Sequence, residues 1–175
     1  MNINLELLSL ENADDIYDFE VKNRAYFEKN LPSRGDDYYI LDKFKSIINL
    51  LINEQSCGDC FMYIIRNEVG EIVGRVNFTD VKTNGVKSAE LGYRIGQNSI
   101  GKGVATKAVQ IALKQTAQQH NLEKITAGTS PNNKASQRVL EKNGFIFAGM
   151  RKIEIGEELI DSLEYVINTK RGGQP

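Results

Sequence analysis

The sequence holds few of the residues on which redox and metal chemistry depends. Its 175 residues include two cysteines and one histidine. Cys57 and Cys60 form Cys-Gly-Asp-Cys, a spacing found in redox and zinc motifs. A structural zinc takes four ligands, yet there is no second cysteine pair, and His120 stands roughly sixty positions on without a histidine partner. A thioredoxin-type pair follows a strand and opens a helix. This one ends a helical pattern and leads into a strand, so it reads as two reduced thiols at a helix–strand junction. His120 reads as a polar residue near a helix end rather than a catalytic base, and no metal site is expected.

Neither charge outweighs the other. Lys+Arg number 22 and Asp+Glu 23, for a formal net charge of −1. A partner held by bulk electrostatics, such as duplex DNA or an anionic membrane, calls for a basic face; neither direct nucleic-acid binding nor membrane binding is expected. The longest unbroken apolar run, residues 60–65, falls far short of the ~20 that a spanning helix needs. The start, Met-Asn-Ile-Asn-Leu-Glu, has no basic segment leading into an apolar one, so no secretory signal is read and a cytoplasmic location is expected. Repeats, low-complexity tracts and linkers are missing as well. Residues 1–170 therefore read as one domain, and 171–175 as a frayed tail. A charged fraction of 26% with 41% hydrophobic residues excludes wholesale disorder.

What is present is clear periodicity. Residues 3–9 alternate as a strand, and an acidic start at about Ala13 opens a helix reaching Glu28. Leu31-Pro32-Ser33-Arg34-Gly35 breaks the chain. Ile40, Phe44, Ile47, Ile48 and Leu51 then form the stripe of a second helix. Residues 60–66 and 71–81 read as strands joined by a turn at 67–70. In a strand over 87–96, Ala89, Leu91, Tyr93 and Ile95 take one face, and Glu90, Gly92 and Arg94 the other. The period changes at Gly96, and a helix runs from Val104 to about His120. A strand at 124–129, a helix at 133–143 capped by Gly144, and strands at 145–155 and 159–168 complete a mixed sheet with helices on it.

The chemistry concentrates where the strand over 87–96 passes through Ile100-Gly101-Lys102-Gly103 into a long helix. Two glycines flanking one residue let the backbone turn tightly and present successive N–H groups. At the positive end of a helix dipole these suit a phosphate or pyrophosphate. A plain strand–helix turn has the same appearance. A Walker A loop lacks its spacing here, and a Rossmann fingerprint fails because Thr106 stands where Gly or Ala is required.

A second motif follows about thirty residues on: Asn133-Lys134-Ala135-Ser136, then Val139-Leu140-Glu141-Lys142-Asn143-Gly144-Phe145. With Gly101-Lys102-Gly103-Val104-Ala105-Thr106 it resembles the GNAT family of acetyl-CoA-dependent N-acetyltransferases, most of all its ribosomal-protein N-terminal (RimJ/RimL-like) branch. Asn23-Arg24-Ala25-Tyr26-Phe27-Glu28 and Leu31-Pro32 look like the start of that branch, so the resemblance spans roughly residues 3–168. One departure stands out: Asn98 occupies a position where the wider family writes Gln or Arg.

The resemblance implies an α+β fold, a mostly antiparallel mixed sheet of about seven strands with about four helices. It implies acetyl-CoA as cosubstrate, bound by Leu91, Tyr93, Arg94 and Ile95 on the strand, Ile100, Gly101, Lys102, Gly103, Val104, Ala105 and Thr106 in the loop, and Asn133. The acceptor amine attacks the thioester directly, and a backbone N–H near residues 91–93 stabilises the oxyanion. Ser136 matches the family's hydroxyl near the departing sulfur, where a general acid acts; it also fits a capping or packing serine. Glu154 fits the position of the branch's base if one residue is deleted nearby, and Glu90 is the second candidate. Tyr93 reads as a packing residue, and Asn133 as a helix cap that can also touch the cofactor.

The acceptor is constrained by pKa. A free α-amine of pKa ~7.7–8 is roughly 10–15% neutral at pH 7, and a lysine at ~10.4 only about 0.04%. An N-terminal acceptor, such as that of a ribosomal protein, thus asks least of a base. A polyamine or aminoglycoside is the alternative, for which Asp36-Asp37 and Glu157-Glu158 could supply carboxylates; a non-catalytic CoA-binding module is a third. Monomer and homodimer remain equally open.

Overall fold

A computed structural model of the chain describes residues 2–29, 31–155 and 158–169, with Ile155 and Glu158 described through their backbone alone. Strand β2 (Phe61–Asn67) shows how the sheet is buried. Phe61, Tyr63 and Ile65 point to one side and Met62 and Ile64 to the other, and all are 6% exposed or less. A strand covered on both faces has no position for a polar residue, hence the apolar run beginning at Cys60.

The other strands are β1 (Ile3–Leu7), β3 (Ile72–Lys82), β4 (Ser88–Ile95), β5 (Lys124–Thr129), β6 (Ile146–Ile155) and β7 (Glu158–Asn168). They lie in the order β1-β2-β3-β4-β5-β7-β6. Every neighbouring pair is antiparallel except β4–β5, which is parallel. The helices are α1 (Ala13–Phe27), α2 (Leu41–Cys57), α3 (Val104–Gln119) and α4 (Lys134–Lys142). A parallel pair needs a crossover, and α3 supplies it. Val104, Ala108, Val109 and Ala112 of α3 and Leu140 of α4 pack with Phe61, Tyr63 and Ile65. Ile16 of α1 and Phe44 and Ile48 of α2 pack with Met62 and Ile64 on the opposite side. The expected α+β architecture is the observed one.

Local chemistry sets the element ends. Asn67 turns the β2–β3 hairpin by accepting from the N–H groups of Val69 and Glu71. Lys107, Gln110, Lys114 and Gln118 form the solvent arc of α3, all exposed. Two apolar assignments shift. Ile40 stands outside α2, extended and 47% exposed, because its carbonyl accepts the first helical bond from Phe44. On β1 alternation ends early: Leu7 is exposed and Leu8 buried, since Ser9 and Asn12 already form a turn there. The tail at 171–175 and Glu157 of the β6–β7 connection lie outside the described residues. Among the described residues no helix is long and apolar enough to cross a membrane, and no cluster of three metal-ligating side chains occurs.

The cysteines are free thiols in unlike surroundings. Cys57 ends α2 exposed; Cys60 is buried and donates weakly to the Leu51 carbonyl at 3.6 Å. Burial, aided by Glu54 and Asp59, pushes the Cys60 thiol up to about 11. A disulfide reagent at pH 8 should therefore titrate one thiol in the native protein and two after denaturation. Rapid reaction of both in the native state would contradict this burial. His120 ends α3, stacked on Phe61 with ring centroids 3.5 Å apart and its Nε2 2.9 Å from the Tyr63 hydroxyl. Burial, with Lys87 nearby, lowers its pKa and keeps it neutral at pH 7.

Candidate active site

Strands β4 and β5 diverge almost as soon as they meet. They pair only at Ser88↔Lys124, Ala89↔Ile125 and Glu90↔Thr126. Beyond Glu90, β4 stays paired with β3 as far as Ile95 and has no partner on its other side among the described residues. The Arg94 carbonyl turns toward β3, coming 2.6 Å from where a Cβ on Gly74 would stand. Strand alternation then aims the backbone groups of Leu91, Tyr93 and Ile95 at the open edge. Such an edge can receive an extended ligand through main-chain hydrogen bonds.

At the far end of this edge the chain turns into α3. Gly101 and Gly103 have φ of +73° and +75°, a region that side chains disfavour. Gly103 is the N-cap and brings no side chain to the cap; the first turn holds no acidic residue. The first helical bond runs from Lys107 N–H to the Gly103 carbonyl, leaving the N–H groups of Val104, Ala105 and Thr106 without helical acceptors. A cavity of about 400 Å³ opens directly over them.

The cavity joins β4, the loop and α4. Asn133 caps α4, its side chain accepting from Ser136 N–H at 3.0 Å, while also lining the cavity. Ser136 Oγ shares a 2.8 Å hydrogen bond with the Tyr93 hydroxyl, and both residues line the same space. Burial raises the Tyr93 pKa, the Ser136 hydrogen bond opposing, so the phenol keeps its proton through neutral pH.

Among the residues expected to bind cofactor, Tyr93, Arg94, Ile95, Ile100, Gly101, Gly103, Val104, Ala105, Thr106 and Asn133 line the cavity. Leu91 is buried in the core beneath it, and Lys102 is exposed in the loop without lining it. Asn98, the departing position, borders a separate cleft with Asp15, Asp18 and Arg66. The candidate carboxylates sit apart from the cavity lining. Glu90 closes the last β4–β5 pair, at the vertex of the splay, with its Oε1 3.5 Å from Arg151 Nη2. Glu154 is exposed on β6 opposite Leu159, three strands from β4.

Several lining residues lay in or beside the motifs without a role assigned to them. Ala135, Arg138, Val139 and Lys142 join Ser136 in the cavity wall; steps of three and four along α4 would have found them. Arg138 and Lys142 add two positive charges there. Tyr26, Phe27 and Leu31 reach the cavity from the end of α1 and the segment beyond it.

Solved N-acetyltransferases share this architecture. A ribosomal-protein-S5-alanine acetyltransferase from Vibrio fischeri superposes with a TM-score of 0.89 at 20% identity, covering 97% of this chain and 94% of that one. Mycobacterium smegmatis RimJ in complex with CoA-disulfide gives 0.85 at 25% identity, over 95% of this chain and 81% of its own. A chimera of Vibrio cholerae spermidine N-acetyltransferase SpeG gives 0.77 at 20% identity, covering 97% and 96%. By sequence, the Escherichia coli (strain K12) [ribosomal protein uS5]-alanine N-acetyltransferase is 26% identical over 149 residues, 85% of this chain and 77% of that protein. The family model for the acetyltransferase (GNAT) domain matches residues 2–146. The chain belongs to the GNAT acetyltransferase family and is an acetyltransferase.

Proposed function

We propose that the protein transfers acetyl from acetyl-CoA to a protein N-terminal α-amine. The observation that carries this reading is one cavity joining an open β4 edge, a set of α3 N–H groups without helical acceptors and a half-buried hydroxyl pair. The fit to acetyl-CoA follows from each part. The backbone of Leu91, Tyr93 and Ile95 would pair with the pantetheine amides. The N–H groups of Val104, Ala105 and Thr106 would hold the pyrophosphate, with the Arg138 and Lys142 charges alongside.

The acceptor amine, once neutral, attacks the thioester carbonyl. An N–C bond forms, the C–S bond breaks, and the nitrogen loses a proton. A backbone N–H at residues 91–93 would stabilise the oxyanion. Glu90, at the splay vertex where β4 leaves β5, is the better placed carboxylate to take that proton, through water. Glu154 remains the alternative base if the β6–β7 hairpin reaches the acceptor. The CoA thiolate would gain its proton from Ser136, which Tyr93 can resupply through their shared hydrogen bond. An α-amine needs little help to lose its proton near neutrality, which suits a cavity with no carboxylate in its wall among the described residues. A ribosomal-protein N-terminus fits this acceptor class and the cytoplasm in which ribosomes work.

A thermal melt tests cosubstrate binding. At a hundred times its dissociation constant, acetyl-CoA should stabilise by about 2.7 kcal/mol, raising Tm by roughly 5–10 °C for a domain of this size. No shift at saturating acetyl-CoA would remove the proposal.

A further inference from the structure

On the α1 side of β4, one carboxylate serves two guanidiniums. Glu20 is fully buried. Its Oε1 accepts from Arg75 Nη1 at 2.8 Å, and its Oε2 from Arg94 Nη1 at 3.0 Å. Arg75 and Arg94 stand directly opposite each other in the β3–β4 register. Arg75 Nη1 also reaches the Tyr38 hydroxyl at 3.3 Å, and a third guanidinium, that of Arg34, lies 4.8 Å from the Tyr38 ring. Buried charges in proteins are normally compensated. Here one negative charge faces two positive ones, with a further positive charge close by.

The two arginines differ in what they can still reach. The Arg75 side chain is 5% exposed and closed off from a ligand by its depth; that of Arg94 is 16% exposed. Among the described residues Arg94 makes one hydrogen bond, through Nη1. Its guanidinium is held over the Phe27 ring, 5.0 Å from the centroid, and both residues line the cavity that contains Tyr93 and Ser136. Burial lowers the Arg94 pKa; Glu20 opposes that, while Arg34 and Arg75 add to it. A second anion beside Arg94 would relieve the same imbalance. A guanidinium with spare N–H groups in a fixed plane is a receptor for a carboxylate.

We propose that Arg94 selects acceptors carrying a carboxylate close to the amine, in an N-terminal peptide an Asp or Glu within the first few residues. This rests on the acetyl-transfer reading above. The same positive cluster repels polycations, so spermidine and aminoglycosides are disfavoured at this end of the cavity.

The test uses peptides that differ only at the second residue, Glu, Ala or Lys, together with spermidine. CoA thiol release is followed at saturating acetyl-CoA. The Glu peptide is expected to exceed the Lys peptide by about tenfold or more in kcat/KM, mostly through KM. Arg94→Gln should shrink the ratio to about twofold and Arg94→Lys should restore part of it. Glu20 keeps Arg75 in both variants, and the wild-type ratio is informative even if a variant does not fold. Equal turnover of the three peptides, or a preference for the Lys peptide or spermidine, overturns the selection by charge. A preference that survives Arg94→Gln overturns the role of Arg94. Turnover of no amine at all, despite an acetyl-CoA thermal shift, overturns the acetyl-transfer reading and this inference with it.

Discussion

Replacing Glu20 by Ala is expected to cost about 3–5 kcal/mol of folding stability. The main cause is the uncompensated positive charge that the substitution leaves buried. Glu20 is fully buried and is the carboxylate bonded to both Arg75 and Arg94. Without it, Arg75 is a buried guanidinium whose remaining partner is the Tyr38 hydroxyl. Tm should fall by roughly 6–20 °C, at about 2–4 °C per kcal/mol for a chain of this length. Glu20→Gln keeps the shape and some hydrogen bonds but not the charge, so it should fall between wild type and Glu20→Ala. Exposed pairs such as Lys152–Asp161 should lose far less on the same treatment. Urea unfolding of the three proteins measures the difference, and a loss below about 1 kcal/mol for Glu20→Ala would refute the buried network.

The second large effect falls on turnover. Tyr93→Phe and Ser136→Ala are each expected to lower kcat by about a hundredfold, the lower end of general acid catalysis. The double variant should lose little more, because the two hydroxyls share one hydrogen bond and act as a unit. Burial raises the Tyr93 pKa, so the phenol keeps its proton at neutral pH. The sign of the pH dependence follows. The rate should climb as the acceptor α-amine loses its proton near pH 8, then hold until pH exceeds the ordinary tyrosine value. Steady-state kinetics with an N-terminal peptide between pH 6 and 10 reads both features. Full turnover in both single variants would remove the hydroxyl pair from the chemistry.

The elements were legible in the sequence because each rests on local periodicity. The unbroken run beginning at Cys60 marks a strand covered on both faces, and the polar arc of Lys107, Gln110, Lys114 and Gln118 marks one face of α3. The loop was legible because Gly101 and Gly103 leave a mark that no side chain could replace at positive φ. Contacts between distant positions left no such mark. Glu20 meets Arg75 across 55 positions and Arg94 across 74. Tyr93, which alternation alone makes a packing residue, meets Ser136 across 43. Arg94 could be placed on the strand, and its partners only in the fold. The positions of Glu90 and Glu154 depend on the same kind of contact, since only the strand registers place Glu90 at the splay and Glu154 on β6.

The most direct measurement is the position of the acetyl group after reaction. A peptide with a free α-amine and one internal lysine is incubated with acetyl-CoA and the protein, and the product is fragmented by mass spectrometry. One acetyl on the α-nitrogen, with one CoA thiol released for each, is the expected result. Acetylation at the lysine, or turnover confined to spermidine, would contradict transfer to a protein N-terminus.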